Sequence, residues 1–334
     1  MAKRRLTRRQ TSHVQRIQQR RIDRANRRTK EEQQASESRQ LGPEAVGQVI
    51  ANFGASLIVE SQDGVTLRCA PRANLELLVS GDRVVYQAST DTEGVVTALL
   101  PRDTVLTRPD FSGNPKPLAA NINRIVVVAA VRPELDLFLL DRYLVASELA
   151  GTPAQIVVNK IDLADDSTID SIRQRTAYFQ SIGYPVLFAS TKRDHGLDML
   201  LAELADHTSI FVGQSGVGKS SLIKALLPDQ EIRIGKLSAA SGQGRHTTTS
   251  TMLYHLPSGG DLIDSPGVRE FGLFETDAHR IAAGFVEFAA HMNRCRFRDC
   301  HHNAEPGCAL RAAVDQGEID PRRLESYHRI VGDS

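Results

Sequence analysis

Long apolar runs are missing from this chain: none of its 334 residues falls in a stretch approaching the roughly 20 that a membrane-crossing helix needs. The basic start has no apolar stretch or small-residue cleavage site behind it, so it does not read as a secretory signal. No repeat of fixed period runs through the sequence, which leaves out solenoid architectures. Cysteine is scarce, with four residues, and three of them fall between 295 and 308. An odd cluster is a poor disulfide set, and in a reducing compartment it reads better as a metal site. Cys69 stands alone in a strand-like stretch and reads as core. The expectation is a soluble, cytoplasmic, monomeric protein without a membrane partner.

Residues 1–40 also lack glycine and proline, and they carry 13 Lys and Arg against 4 Asp and Glu. The remainder carries 28 against 36, so a net charge of +1 hides a basic arm on a mildly acidic body. Such an arm points to a polyanionic partner, RNA in particular. From about 44 to 101 the chain is a series of short β-rich runs broken by turn residues: Ala45–Phe53, Ala55–Glu60, Val65–Ala70, Arg83–Gln87 and Gly94–Leu100. Five short strands in that length predict a small barrel of the oligonucleotide-binding type. From about 121 to 275 near-continuous apolar strands alternate with helices, as a parallel sheet covered on both faces requires. The last segment reads as mostly helical, with Asp320-Pro321 as a helix start.

The chemistry is carried by three motifs. Gly213-Gln214-Ser215-Gly216-Val217-Gly218-Lys219-Ser220 matches G-x-x-x-x-G-K-[ST], a loop whose backbone N–H groups cradle phosphates at a helix start. Lys219 is placed to reach the β- and γ-phosphates, Ser220 to bind Mg²⁺, and Ser221 follows on the same turn. Asn159-Lys160-Ile161-Asp162 matches N-K-x-D. The Asp162 carboxylate can accept from guanine's ring N–H and exocyclic amine together, a donor pair that adenine lacks. Asn159 would orient the base, the Lys160 stem would cover it, and Ser190-Thr191 would supply a backbone contact. Asp264-Ser265-Pro266-Gly267 is a D-x-x-G switch, with Asp264 toward Mg²⁺ and Gly267 toward the γ-phosphate.

Between cradle and switch lies Gly235–Ser250, with Thr247-Thr248-Thr249. Thr248 is the candidate second Mg²⁺ ligand. The position after D-x-x-G is Val268, which cannot orient water, so His246 is the candidate catalytic group in cis beside Lys219 and Thr248. The base-reading motif precedes the cradle. The cyclic order of an ordinary GTPase is kept and only the cut point has moved. Cys295, Cys300, His302 and Cys308 offer three thiolates and an imidazole, the set preferred by one tetrahedral structural Zn²⁺, with His301 as a neighbouring candidate. Arg294, Arg296, Arg298, Arg311, Arg322, Arg323 and Arg329 surround it as candidates for rRNA phosphate contacts.

The permuted motif order, the barrel before it and the cysteine cluster after it resemble the YjeQ/EngC family of circularly permuted GTPases. The resemblance covers roughly residues 42–334 and includes Gly-Arg-His-Thr-Thr-Thr (244–249) and Asp-Ser-Pro-Gly-Val-Arg-Glu-Phe (264–271). Among the cluster's histidines, the family's Cys-x-His spacing favours His302. The resemblance implies an α/β architecture: an oligonucleotide-binding barrel (41–103) after a basic extension (1–40), a permuted GTPase domain (104–275) and a zinc-binding helical domain (276–334). It further implies GTP and GDP as ligands and late 30S subunits with their 16S rRNA as partner, without DNA specificity. Ribosome-stimulated hydrolysis follows from it. The alternatives are an RNA-binding factor that uses bound nucleotide as a structural switch with little turnover, and a P-loop kinase or ATPase, which Asn159 and Asp162 disfavour.

Overall fold

The computed structural model describes residues 41–109, 112–228, 251–265 and 277–332. Five strands form the first unit: β1 (Glu44–Asn52), β2 (Leu57–Ser61), β3 (Thr66–Pro71), β4 (Arg83–Ala88) and β5 (Glu93–Leu99). They pair in the order β1-β2-β3-β5-β4, and a β1–β4 pairing closes the ring, which removes its open edges. Alternating side chains turn inward, Leu67 and Cys69 from β3 and Val84 and Tyr86 from β4, to fill the core. Burial pushes the Cys69 thiol up to about 12, as fits a packing residue rather than a reactive one.

A hairpin follows, β6 (Val105–Pro109) and β7 (Pro115–Ala120), that the sequence reading did not anticipate. Pro109, Pro115 and Pro117 argue against strands by their missing N–H groups. A two-stranded ribbon tolerates them because each strand has one ladder partner, and the further bridge from β7 to Ser80 is made by Ala119 and Ala120, away from the prolines.

The central sheet holds β8 (Arg124–Ala130), β9 (Ala154–Asn159), β10 (Val186–Phe188), β11 (Thr208–Val212), β12 (Met252–His255) and β13 (Asp261–Asp264). Its order is β10-β9-β8-β11-β13-β12, parallel except for β12. Helices α1 (Leu137–Leu149), α2 (Asp166–Ser181), α3 (Asp198–Leu204) and α4 (Lys219–Leu226) connect the strands. β8 is buried from Ile125 to Ala130, which explains its unbroken apolar run. Asp136 and Asp165 cap α1 and α2 by accepting from Leu139 and Thr168 N–H groups at 3.1 and 2.8 Å.

Barrel and sheet are continuous. Ala51 of β1 pairs with Met252 of β12, and Ser80 Oγ donates to the Thr251 carbonyl at 2.8 Å. At the far end of the chain, α5 (Ala278–Ala283), α6 (Ala309–Asp315) and α7 (Pro321–Gly332) surround a core of Phe285, Phe288, Leu310, Tyr327 and Ile330. α1 contributes Val145 to that core, so one helix of the central unit serves both. Polar groups follow the same route. Asp141 of α1 accepts from Arg322, Arg323 and Ser326 of α7 at 2.6, 2.8 and 2.6 Å. Arg323 also donates to Glu287 at 2.6 and 3.0 Å. Arg323 is therefore fully buried and Arg322 is engaged by Asp141, which corrects their assignment as RNA-contact candidates. Arg329 lies over the Phe138 ring, 3.8 Å from its centroid. Among the described residues no helix is long and apolar enough to cross a membrane.

Candidate functional site

The cradle follows β11, between β8 and β13, and its glycines are set by close approaches. Gly213 has φ 138°, and a side chain there would begin 2.2 Å from the Val128 carbonyl oxygen. Gly218 has φ 97°, and a Cβ would lie 2.5 Å from Nδ2 of Asn159. Only glycine fits either position. Gln214, Ser215 and Gly216 are exposed at the mouth of the loop, whereas Val217 is buried beneath it. Lys219 Nζ donates to the Gly213 and Gln214 carbonyls at 2.5 and 2.8 Å, which holds the ammonium across the loop. Ser220 and Ser221 are exposed on the first turn of α4.

The base-reading motif ends β9 and is fastened to the cradle. Asn159, almost fully buried, donates through Nδ2 to the Val217 carbonyl at 2.9 Å. Among the described residues its Oδ1 is buried without a hydrogen-bond partner, an acceptor left over. Lys160 takes a left-handed backbone conformation, φ 63°. Its ammonium donates to the Gly216 and Arg132 carbonyls at 2.5 and 2.8 Å, which lays the alkyl stem across the loop mouth. Asp162 Oδ1 accepts from the Ser190 hydroxyl at 2.6 Å. That bond first, with Lys192 and Arg193 contributing, holds the Asp162 carboxyl below the usual range and keeps it an acceptor.

Ser190 thus meets the base reader through its side chain. Its own N–H is taken by the Gly196 carbonyl at 3.0 Å, which leaves the anticipated backbone contact to exposed Thr191. Asp264 ends β13, next to the cradle strand. Ser265 Oγ and Thr251 Oγ1 lie 2.9 Å apart, joining the ends of β12 and β13. His246, Thr248 and Gly267 fall outside the described residues. Sequence reasoning missed Arg132, which holds Lys160 only through a carbonyl, and the role of Lys192, 4.0 Å from Asp162. A backbone contact leaves no trace in residue type.

In the C-terminal unit Cys295, Cys300, His302 and Cys308 bring their ligand atoms within 4.8 Å of one another. His302 Nδ1 is 3.5 Å from the sulfurs of both Cys295 and Cys308. A zinc tetrahedron with ordinary bond lengths has S–N edges of about 3.5 Å, so the donor set fits the ion in kind and in spacing. The Ala309 N–H donates to the Cys295 sulfur at 3.3 Å, and the His302 carbonyl meets Nε2 of His328 at 2.8 Å. Four protein donors would leave no open position on such an ion.

The G-x-x-x-x-G-K-S loop, the N-K-x-D motif and Asp264 lie together at the carboxyl edge of the parallel strands. They define the class: a P-loop GTPase whose motifs occur in permuted order, behind a barrel and ahead of a metal-binding helical unit. The model of the RsgA GTPase family matches residues 99–274. A small ribosomal subunit biogenesis GTPase RsgA from Pseudomonas aeruginosa is 50% identical over 331 residues, covering 99% of this chain and 98% of the relative. The crystal structure of YjeQ from Thermotoga maritima superposes with a TM-score of 0.72 at 29% identity, over 87% of this chain and 98% of that one. YloQ, described as a circularly permuted GTPase, gives 0.70 at 30% identity over 87% and 95%. The chain belongs to the RsgA GTPase family.

Proposed function

We propose that this protein hydrolyses GTP to GDP and phosphate as an assembly factor of the small ribosomal subunit. In this reading it acts late in maturation as a cytoplasmic monomer that binds 16S rRNA and has no DNA specificity. The carrying observation is the fastening of Asn159 to Val217 and of Lys160 to Gly216, which makes phosphate cradle and base reader one rigid unit. The family and the name of the relative at 50% identity support the reaction and the ribosomal assignment. We keep 41–103, 104–275 and 276–334 as the proposed domain limits, with 1–40 as a basic extension.

In this proposal Gly213, Gln214, Ser215, Gly216, Val217 and Gly218 wrap the phosphates with backbone N–H groups, and Ser221 borders them. Lys219 moves its ammonium from the loop carbonyls to phosphate oxygens. Asn159, Asp162 and Thr191 hold the guanine, Lys160 covers it and Ser190 aims Asp162. Ser220 and Asp264 present the hard oxygen donors that Mg²⁺ takes, with Thr248 as a further hydroxyl. When bound, Mg²⁺ neutralises charge developing on the phosphates. His246 orients the attacking water, the duty that Val268 cannot perform, and Gly267 contacts the terminal phosphate. Cys295, Cys300, His302 and Cys308 hold one structural zinc.

The reading predicts slow turnover alone and faster turnover with small subunits. Phosphate release with and without purified 30S subunits checks it. Unchanged turnover in the presence of bound subunits favours the alternative, a nucleotide-dependent structural switch.

A further inference from the structure

Among the described residues Phe297 is the only exposed Phe or Tyr, at 43%, and the other large apolar side chains at the surface are Val, Leu and Met. It stands in Arg294-Cys295-Arg296-Phe297-Arg298, and all three arginines are exposed. The Arg296 guanidinium lies over one side of the ring, 5.5 Å from its centroid. We propose that Phe297 stacks on an unpaired RNA base while the arginines meet the adjoining phosphates. This rests on the small-subunit reading above and adds to it a residue and a mode of contact.

Three observations favour that occupant. The loop is only four residues long between Cys295 and Cys300, and the Arg296 N–H donates to the Gly307 carbonyl at 3.0 Å. A metal-clamped loop holds the ring out with little conformational freedom left to lose. Around Phe297 three exposed arginines stand against one exposed acid, Asp299, a net positive surface that suits phosphate. The nearby Glu305 does not oppose phosphate freely, because its carboxylate accepts from the N–H groups of His301, Asn303 and Ala304 at 2.8, 2.9 and 3.1 Å. An unpaired base offers the matching surface, a planar face next to a negative charge, and a base within a duplex does not.

The chain has no tryptophan, so Phe297→Trp in the full-length zinc-loaded protein creates a single reporter. Its emission is followed against 30S subunits and against single-stranded oligoadenylate, with the unsubstituted protein on the same subunits as background. The expected result is quenching on both, with affinity kept by Trp. Phe297→Ala is expected to weaken both by roughly 5- to 150-fold, the loss of one base–aromatic stack. It should leave the salt dependence unchanged, whereas Arg298→Ala lowers its slope by about one. Equal affinity for Phe297→Ala and the parent protein, or binding of the Trp variant without quenching, overturns the proposal. A photo-crosslinker at position 297 that labels a ribosomal protein rather than rRNA overturns it too. If the parent protein does not bind 30S subunits, the functional reading fails separately, and the oligoadenylate titration alone decides the stacking.

Discussion

At the scale of single residues, the proposed guanine specificity rests on one carboxylate oriented by one hydroxyl. Ser190 donates to Asp162 and Asn159 holds Val217, so each polar contact fixes one member of the nucleotide site. Asp162→Asn replaces an acceptor by an amide that both donates and accepts. Against guanine the amide N–H faces a donor, whereas xanthine presents a carbonyl at that position. The variant is expected to lose GTP by 10²-fold or more and to prefer xanthosine triphosphate, the scale on which an unmatched buried polar group is rejected. Competition of both nucleotides against a fluorescent analogue measures it, and retained GTP preference would remove Asp162 from base reading. Ser190→Ala should weaken GTP without this reversal, because the carboxylate loses its orienting donor and keeps its chemistry. The N-K-x-D motif singles out Asp162 as a candidate in the sequence. The assignment of Ser190 to side-chain support was not legible there, since a serine after a strand looks the same in either role.

At the scale of elements, α1 joins the two halves of the molecule, and here sequence reading misled. Arg322 and Arg323 open a helix among other basic residues, the pattern of a solvated face, and their partners Asp141 and Glu287 are far away in sequence. Nothing local distinguishes an arginine that meets solvent from one that packs over Phe285 at 4.5 Å. The strands of the barrel and the apolar strands of the sheet were legible because alternation and unbroken runs are local signals. The prolines of β6 and β7 hid a hairpin for the opposite reason. Arg323→Met is expected to cost about 3–5 kcal/mol in urea unfolding, because it leaves Asp141 and Glu287 short of a buried cation. Burial already pushes the Asp141 carboxyl up, so the variant should take up a proton there and lose more stability as pH rises. Adding Asp141→Leu should recover part of the loss, and strictly additive effects would show that the pair is not coupled.

At the scale of the whole molecule, β12 joins the central sheet to β1 of the barrel, and His255 of β12 marks that joint. Its ring nitrogens face Asp261 of β13 at 2.6 Å and Glu60 of β2 at 2.5 Å. Only an imidazolium donates through both nitrogens. The bonds to Asp261 and then to Glu60 push His255 up to about 10 from an ordinary 6.5. A folded value above the unfolded one means that the stabilisation is complete below about pH 6.5 and disappears as pH climbs through about 10. The ring is nearly half exposed, so solvent screening limits the effect to on the order of 1 kcal/mol. His255→Asn should therefore lie below the parent protein in stability at pH 6 and converge with it toward pH 10. Thiols also titrate in that range, which is why the difference between the two proteins carries the information. Urea midpoints of both across pH 6 to 10 give the test, and parallel curves would show that the barrel is held to the sheet without this charge. Convergence would identify His255 as an electrostatic fastening between the barrel and β13, the strand that ends in Asp264 and lies between β11 and β12.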